Sequence, residues 1–419
     1  LLNFTVLFVA VLLADFAVRL WLSTRQIRHV AQHRETVPTE FAGRIGLYSH
    51  QRAADYTVAR VRLGLLERAY DAAILVGLTL FGGLQGLNTL LAQWLGHGLV
   101  QQLALLGAVA LLLALAGLPF TLWRQFRLER RFGFNRMTPG LFAADALKGL
   151  ALTCLLGLPL AAAVLWLMAE AGTLWWIWAW VLWVAFNLLL IFIAPTYIAP
   201  LFNTFTPLDD PALTERIRGL TQRCGFALNG LFVMDGSRRS AHGNAYFTGF
   251  GKNRRIVFFD TLLSRLNADE IEAVLAHELG HFKHRHILRR IVLSMLGALL
   301  FLALLGWLAR QSWFYEGLGV TPQLGGPNNA MALILFFLVM PVFTYLLTPI
   351  FSWYSRRDEF EADRYAARHS SSGHLVAALV KLYDDNAATL TPDPVHSAFY
   401  DSHPPAAIRI QHLQQGTAA

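Results

Sequence analysis

Cysteine is nearly absent from this sequence, and charge is scarce. The two cysteines lie far apart, Cys154 in an apolar run and Cys224 in a polar one. That excludes a disulfide framework and a cysteine-based metal site. Charged residues make up 15% of the 419 positions and apolar residues 55%, and the mean hydropathy is +0.44. A soluble domain needs about 25% charge to cover its surface, so the composition is that of a membrane protein. Internal repeats and low-complexity tracts are also lacking. The net charge of +8 is not gathered with stacking aromatics into one module, which excludes nucleic acid as a partner.

A bilayer crossing takes about 20 apolar residues. Seven segments qualify: 1–22, 68–93, 99–122, 147–170, 173–196, 287–309 and 330–353. Gly82, Gly83 and Gly86 interrupt the second. The run 1–13 has no basic stretch before it and no A-x-A site after it, so it is expected to be a true span and not a signal peptide. The 35 Lys and Arg alternate: nine fall in 19–68, six in 124–148, thirteen in 216–290 and six in 356–409, leaving Arg310. Segments after spans one, three, five and seven are therefore basic. The positive-inside rule puts these in the cytoplasm and the N-terminus outside.

The chain is expected to divide into spans one to five (1–196), a cytoplasmic segment (197–286), spans six and seven (287–353) and a cytoplasmic helical region (354–419). The first cytoplasmic segment carries a helical pattern at 212–224 and strand-like runs at 231-LFVMD-235, 245-AYFTGF-250 and 256-IVFFD-260. A helix is expected from about 268, where Asn267 and Glu270 form an Asn variant of the capping box.

That helix carries 273-AVLAHELGHFKHRH-286. His277 and His281 lie one turn apart on one face, placed to bind one Zn²⁺. Glu278 beside the first histidine is suited to act as base toward a water acidified by the metal. His284 and His286, among Lys283, Arg285, Arg289 and Arg290, read as a solvated or headgroup-facing helix end. A catalytic zinc needs a third protein ligand, and 356-RRDEFEADRYAA-367 offers one. Glu359 and Asp363 share a face there. Glu359 completes a His₂Glu set, and Asp363 is placed to accept the free ring N–H of a zinc histidine. Glu361 points off that face. The alternative for this segment is a charged surface helix paired through Arg356, Arg357 and Arg364.

HELGH followed by EFEAD, with spans before and between, resembles the integral-membrane zinc metallopeptidases of the CAAX prenyl protease family (type 1, a-factor-converting). The segments 132-FGFNRMT-138, 201-LFNTFTPL-208, 242-HGNAYFTGFGKNRRIVFFDTLL-263 and 401-DSHPPAAIRI-410 resemble that family too. The resemblance implies a mainly α fold, a seven-span helical barrel around a water-filled chamber. A gluzincin-like zinc domain with a small β-sheet would lie on the cytoplasmic side. It implies one Zn²⁺ on His277, His281 and Glu359, with Glu278 as base and His403 near the scissile carbonyl. Asn244 would lie on an edge strand that receives the substrate, or be a plain turn residue. Arg409 would join the carboxylate network or bind the substrate terminus, or lie on the surface.

The implied activity is removal of the last three residues of a Cys-a-a-X peptide, whose prenylated protein terminus would be the substrate. A bacterial quality-control protease with no prenyl requirement is one alternative, and a metal-responsive transporter or channel is another. The tail QQGTAA carries no retrieval signal, and the composition favours a bacterial inner membrane, or the ER if the source is eukaryotic. Glu361 adds a negative charge to the second motif.

Overall fold

Backbone polar groups in hydrocarbon must be satisfied within their own segment, and long apolar runs meet that demand as helices. The computed structural model describes residues 2–248, 255–322 and 328–415. In chain order the first helices are α1 (Leu2–Gln32), α2 (Leu47–Leu78), α3 (Gly83–Leu95), α4 (Leu99–Trp123), α5 (Pro139–Leu152), α6 (Leu158–Glu170), α7 (Trp175–Ile193) and the short α8 (Ala199–Phe202). A polar lobe follows with β1 (Phe205–Pro207), α9 (Pro211–Arg223), β2 (Gly230–Met234), β3 (Ala245–Thr248), β4 (Arg255–Phe259), α10 (Asp260–Leu263) and α11 (Ala268–Lys283). Then come α12 (His286–Leu308), α13 (Ser312–Glu316), α14 (Asn329–Thr344), α15 (Thr348–His369), α16 (Ser372–Asp385), α17 (Pro394–Tyr400) and α18 (Ala406–Gln415).

Among the described residues six helical runs are long and apolar enough to cross a membrane, and α2 with α3 makes a further candidate bent by 53°. The expected second span, 68–93, is therefore not one straight rod. Gly82 sits in the left-handed region at φ +75°, and a Cβ on Gly83 would meet the Gly77 carbonyl oxygen at 2.7 Å. Glycine is what permits the bend. A second difference concerns the last span. It does not stop at 353 but runs on through a single 3₁₀ turn (Tyr345–Leu347) into α15, one helical run from Asn329 to His369. The first span carries a charge pair: Asp15 and Arg19 lie 2.9 Å apart within α1, and Arg19 lies 3.5 Å over the Tyr345 ring.

The sheet order is β1-β2-β4-β3, with β2 and β4 parallel and the outer pairs antiparallel. β3 is thus an edge strand. The last two residues of its expected run, Gly249 and Phe250, lie outside the described residues. A buried cluster including Ile217, Phe258, Leu275 and Leu379 joins α9, the sheet, α11 and α16, and a second fills the space between α1, α4, α6 and α14. The loop after α4 reaches the lobe through an Asn135–Ser240 bridge and through Phe134 stacked on His242 at 4.5 Å.

Candidate active site

The site is set by two helices whose ends are fixed by their own sequence. Asn267 accepts from the Glu270 amide at 2.9 Å while Glu270 accepts from the Asn267 amide at 2.8 Å, the full capping box. Lys381 of α16 adds an ion pair to Glu270 at 2.7 Å. From that start α11 crosses α15 at Gly280. A Cβ there would lie 2.9 Å from the Ala362 Cα and 3.1 Å from the Tyr365 Cβ. Both obstacles are backbone or backbone-proximal, so the helices could not stay this close with any larger residue. Gly280→Ala should therefore force α15 outward and carry Glu359 with it. Overpacking of this kind costs about 1–3 kcal/mol. We expect a lower melting temperature together with weaker metal retention, measured by thermal unfolding and chelator competition. Unchanged values for both would mean that the crossing relaxes freely.

Across that crossing two histidine nitrogens and the two oxygens of one carboxylate converge. His277 Nε2 and His281 Nε2 are 3.2 Å apart. Glu359 Oε2 lies 3.4 Å from the first and Oε1 lies 3.3 Å from the second. Bond lengths of about 2.0–2.1 Å to a tetrahedral zinc imply ligand–ligand edges of about 3.3–3.4 Å. The histidine–histidine separation is close to one such edge, and each histidine nitrogen has one Glu359 oxygen at a comparable distance. Glu359 is 2% exposed, and its Oε2 is buried without a hydrogen-bond partner. A buried carboxylate oxygen in that state is costly, and a cation would satisfy it. The donor set therefore fits a metal of zinc's size and preference.

Behind His277 the arrangement is also specific. Its Nδ1 is 2.8 Å from Asp363 Oδ1, and Asp363 is fully buried. Arg409 clamps that carboxylate with two bonds, Nε to Oδ2 at 2.9 Å and NH2 to Oδ1 at 2.5 Å. Only 5% of Arg409 is exposed. Of the roles left open for it by sequence, burial and this clamp favour the carboxylate network over the surface or a substrate terminus. The Asp363 bond leaves Nε2 of His277 free to face the other two ligand atoms.

Burial by itself would lower the His277 pKa, but the carboxylates of Asp363 and Glu359 beside the ring outweigh it and raise it to about 9. Below that pH the metal-free ring holds a proton that a metal must displace. Apparent metal affinity should then rise about tenfold per pH unit as this one proton is lost, levelling off near pH 9. Chelator competition between pH 6.5 and 9 reads this directly. A flat profile would mean that His277 gives up no proton on binding.

The other expected site residues are distributed unevenly. Glu278 is half-buried on α11, between the two histidines in sequence. His403 comes back over the site: its Nε2 lies 3.4 Å from Glu359 Oε1, with 60% of the side chain exposed. Asn244 is exposed immediately before β3, where its side chain accepts from the Ala245 amide at 2.8 Å.

His286 corrects the sequence reading. It is 1% exposed, not solvated, and its Nδ1 lies 2.9 Å from the Nδ1 of His281. On a continuous helix a residue five places on lies about 140° around the axis, which is why spacing gave no sign of it. Arg285 breaks the helix at φ +56° and turns His286 back. His284 is exposed, as expected. Arg356, a surface partner only in the alternative reading of its segment, donates to the carbonyls of Ser397, Ala398 and Asp401 at 3.2, 3.3 and 2.9 Å.

Known proteins resemble this chain over nearly its whole length. Residues 26–204 match the five-helix N-terminal domain of CAAX prenyl proteases, and residues 207–417 match peptidase family M48. The human CAAX prenyl protease 1 homolog is 31% identical, with 97% of this chain and 95% of the human one aligned. CAAX prenyl protease 1 of Saccharomyces cerevisiae is 32% identical over 96% and 93% of the two chains. A rice homolog reaches 40% over 75% of this chain and 74% of its own. The crystal structure of S. mikatae Ste24p superposes with a TM-score of 0.91 at 30% identity, covering 98% of this chain and 99% of that one.

Proposed function

The chain belongs to peptidase family M48 with the CAAX prenyl protease N-terminal domain, and from that premise we propose that this multi-pass membrane metalloprotease cleaves the last three residues from C-terminal Cys-a-a-X peptides carrying a prenyl group. The observation that carries the reading is the convergence of His277 Nε2 and His281 Nε2, 3.2 Å apart, on the Glu359 carboxylate, whose Oε2 lies 3.4 Å from the first and Oε1 3.3 Å from the second. Bound there, Zn²⁺ would acidify a water and polarise the scissile carbonyl. The protein's own groups do the rest. The Glu278 carboxylate takes the proton as the water oxygen bonds to the carbonyl carbon, and delivers it to the amide nitrogen as the C–N bond breaks. His403 donates to the carbonyl oxygen as charge develops on it. Asp363 and Arg409 hold the His277 ring in orientation.

The substrate backbone adds to the edge of the sheet at β3, where unpaired strand groups invite an extended peptide, with Asn244 at the entry. Seven crossings are obtained by counting α2 and α3 as one broken span. The alternation of Lys and Arg supports an outside N-terminus and a zinc site facing the cytoplasm. Spans other than the last are only 6–22% buried, as befits a wall one helix thick around a wet chamber.

The test is cleavage of a farnesylated Cys-a-a-X peptide and of its unprenylated twin by purified protein, with and without a chelator. Expected is chelator-sensitive release of the tripeptide, faster from the farnesylated form. Equal rates on both would favour a quality-control protease without a prenyl requirement. No cleavage of either would end the peptidase reading of the substrate.

A further inference from the structure

A second group of metal-type side chains lies beside the first: His286, Asp358 and Glu361 offer ligand atoms within 4.8 Å of one another. Its surroundings are those of a hydrogen-bonded relay and not of a cation site. Arg289 and Arg290 already bond Asp358 at 3.0 and 3.2 Å. Arg357 and Arg289 stand 3.8 and 3.9 Å from Glu361. Three guanidiniums around two carboxylates leave no negative charge for a divalent ion. The Nδ1 of His286 is moreover turned to the Nδ1 of His281, 2.9 Å away.

We propose that His286 is a positioning residue for the metal ligand His281, an imidazole inserted between that ligand and the carboxylates of α15. The inference rests on the metal reading of His277, His281 and Glu359. The tautomers follow from one end to the other. With Nε2 of His281 committed to the metal, its Nδ1 carries the proton and donates to His286 Nδ1. His286 must then carry its own proton on Nε2, which faces Glu361 Oε2 at 3.1 Å and Asp358 Oδ1 at 3.6 Å. His277 has its carboxylate directly on the ring, while His281 has one through a second ring. Both chains end on arginines: Arg409 behind Asp363, and Arg289 and Arg290 behind Asp358. Outer partners of this kind fix ring orientation and ligand basicity, and their loss costs about 10–100-fold in metal affinity.

The left-handed Arg285 supports this assignment. A non-glycine residue is seldom found in that region, and here the turn brings His286 back against the motif helix.

Full-length protein carrying H286A should bind Zn²⁺ about 10–100-fold more weakly in chelator competition, and Co²⁺ substituted into it should give a shifted visible spectrum. H286N keeps an acceptor where Nδ1 stood and should recover most of the affinity and the wild-type spectrum. A residue that merely filled space would not be rescued by the smaller amide. Wild-type affinity and spectrum in H286A would overturn the proposal. So would an H286N variant as weak as H286A, which also decides the matter if H286A does not fold. Two Zn²⁺ per wild-type chain, one of them lost in either variant, would make the group a second metal site. Wild-type protein that binds no Zn²⁺ would bring down the metal reading itself, a result distinguishable from failure of the relay alone.

Discussion

Glu278→Gln should yield a folded, metal-loaded protein that turns over at least about 10²–10⁴-fold more slowly. Gln has the shape of Glu, so the half-buried position on α11 stays filled. The ligand atoms belong to His277, His281 and Glu359, and none of their mutual distances involves Glu278. What the amide lacks is a site that takes a proton at neutral pH. The loss should therefore fall on kcat, with zinc content unchanged by elemental analysis. A variant within tenfold of wild type would remove Glu278 from the role of base, whatever its metal content.

His403→Ala should lower kcat by about 10²–10³, the usual cost of one lost donor to a developing oxyanion, and leave zinc in place. The structure gives a reason for the histidine to be where it is. Arg356 on α15 bonds three carbonyls between Ser397 and Asp401, tying the chain back to the helix that carries Glu359. Pro404 and Pro405 limit the next turn. Ser402 Oγ lies 3.0 Å from the His403 Nδ1, which leaves Nε2 toward the site. The ring is still 60% exposed, so a peptide can reach it. Metal loss in this variant would make His403 a ligand and reopen the place of Glu359. Unchanged rate and metal would return it to an ordinary loop residue.

Much of this site was legible in the sequence because it is written in local spacing. His277 with His281 and Glu359 with Asp363 are each one helical turn apart, and the Asn267–Glu270 cap announces its helix by itself. The strands β2, β3 and β4 were visible as β-branched and aromatic runs. β1 was not, since three residues carry no period and exist only by pairing with β2. The bend after α2 was hinted at by its glycines, but its angle is decided by packing. Gly280 passed as a neutral filler because its importance lies in Ala362 and Tyr365, some 80 residues on. His286 was misread for a related reason: five residues is a wrong spacing for one helix face and a right one for two helices joined at Arg285. Arg356 has its partners in and just after α17, some 40 residues on and beyond any local pattern.

Both ligand-bearing helices are continuations of bilayer crossings. α11 passes at Arg285 into α12, and Glu359 rides on the helical run that begins at Asn329. The lobe whose core packs α11 against α15 is therefore tied to the membrane through both helices. A bilayer too thick or too thin for these spans would be met by tilting them. At 1.5 Å of rise per residue, a small change in tilt shifts the far end of a helix as long as α14–α15 by more than a coordination bond tolerates. Turnover measured in vesicles of increasing acyl-chain length should therefore pass through a maximum, and a flat profile would mean that the packing at Gly280 isolates the site from the bilayer.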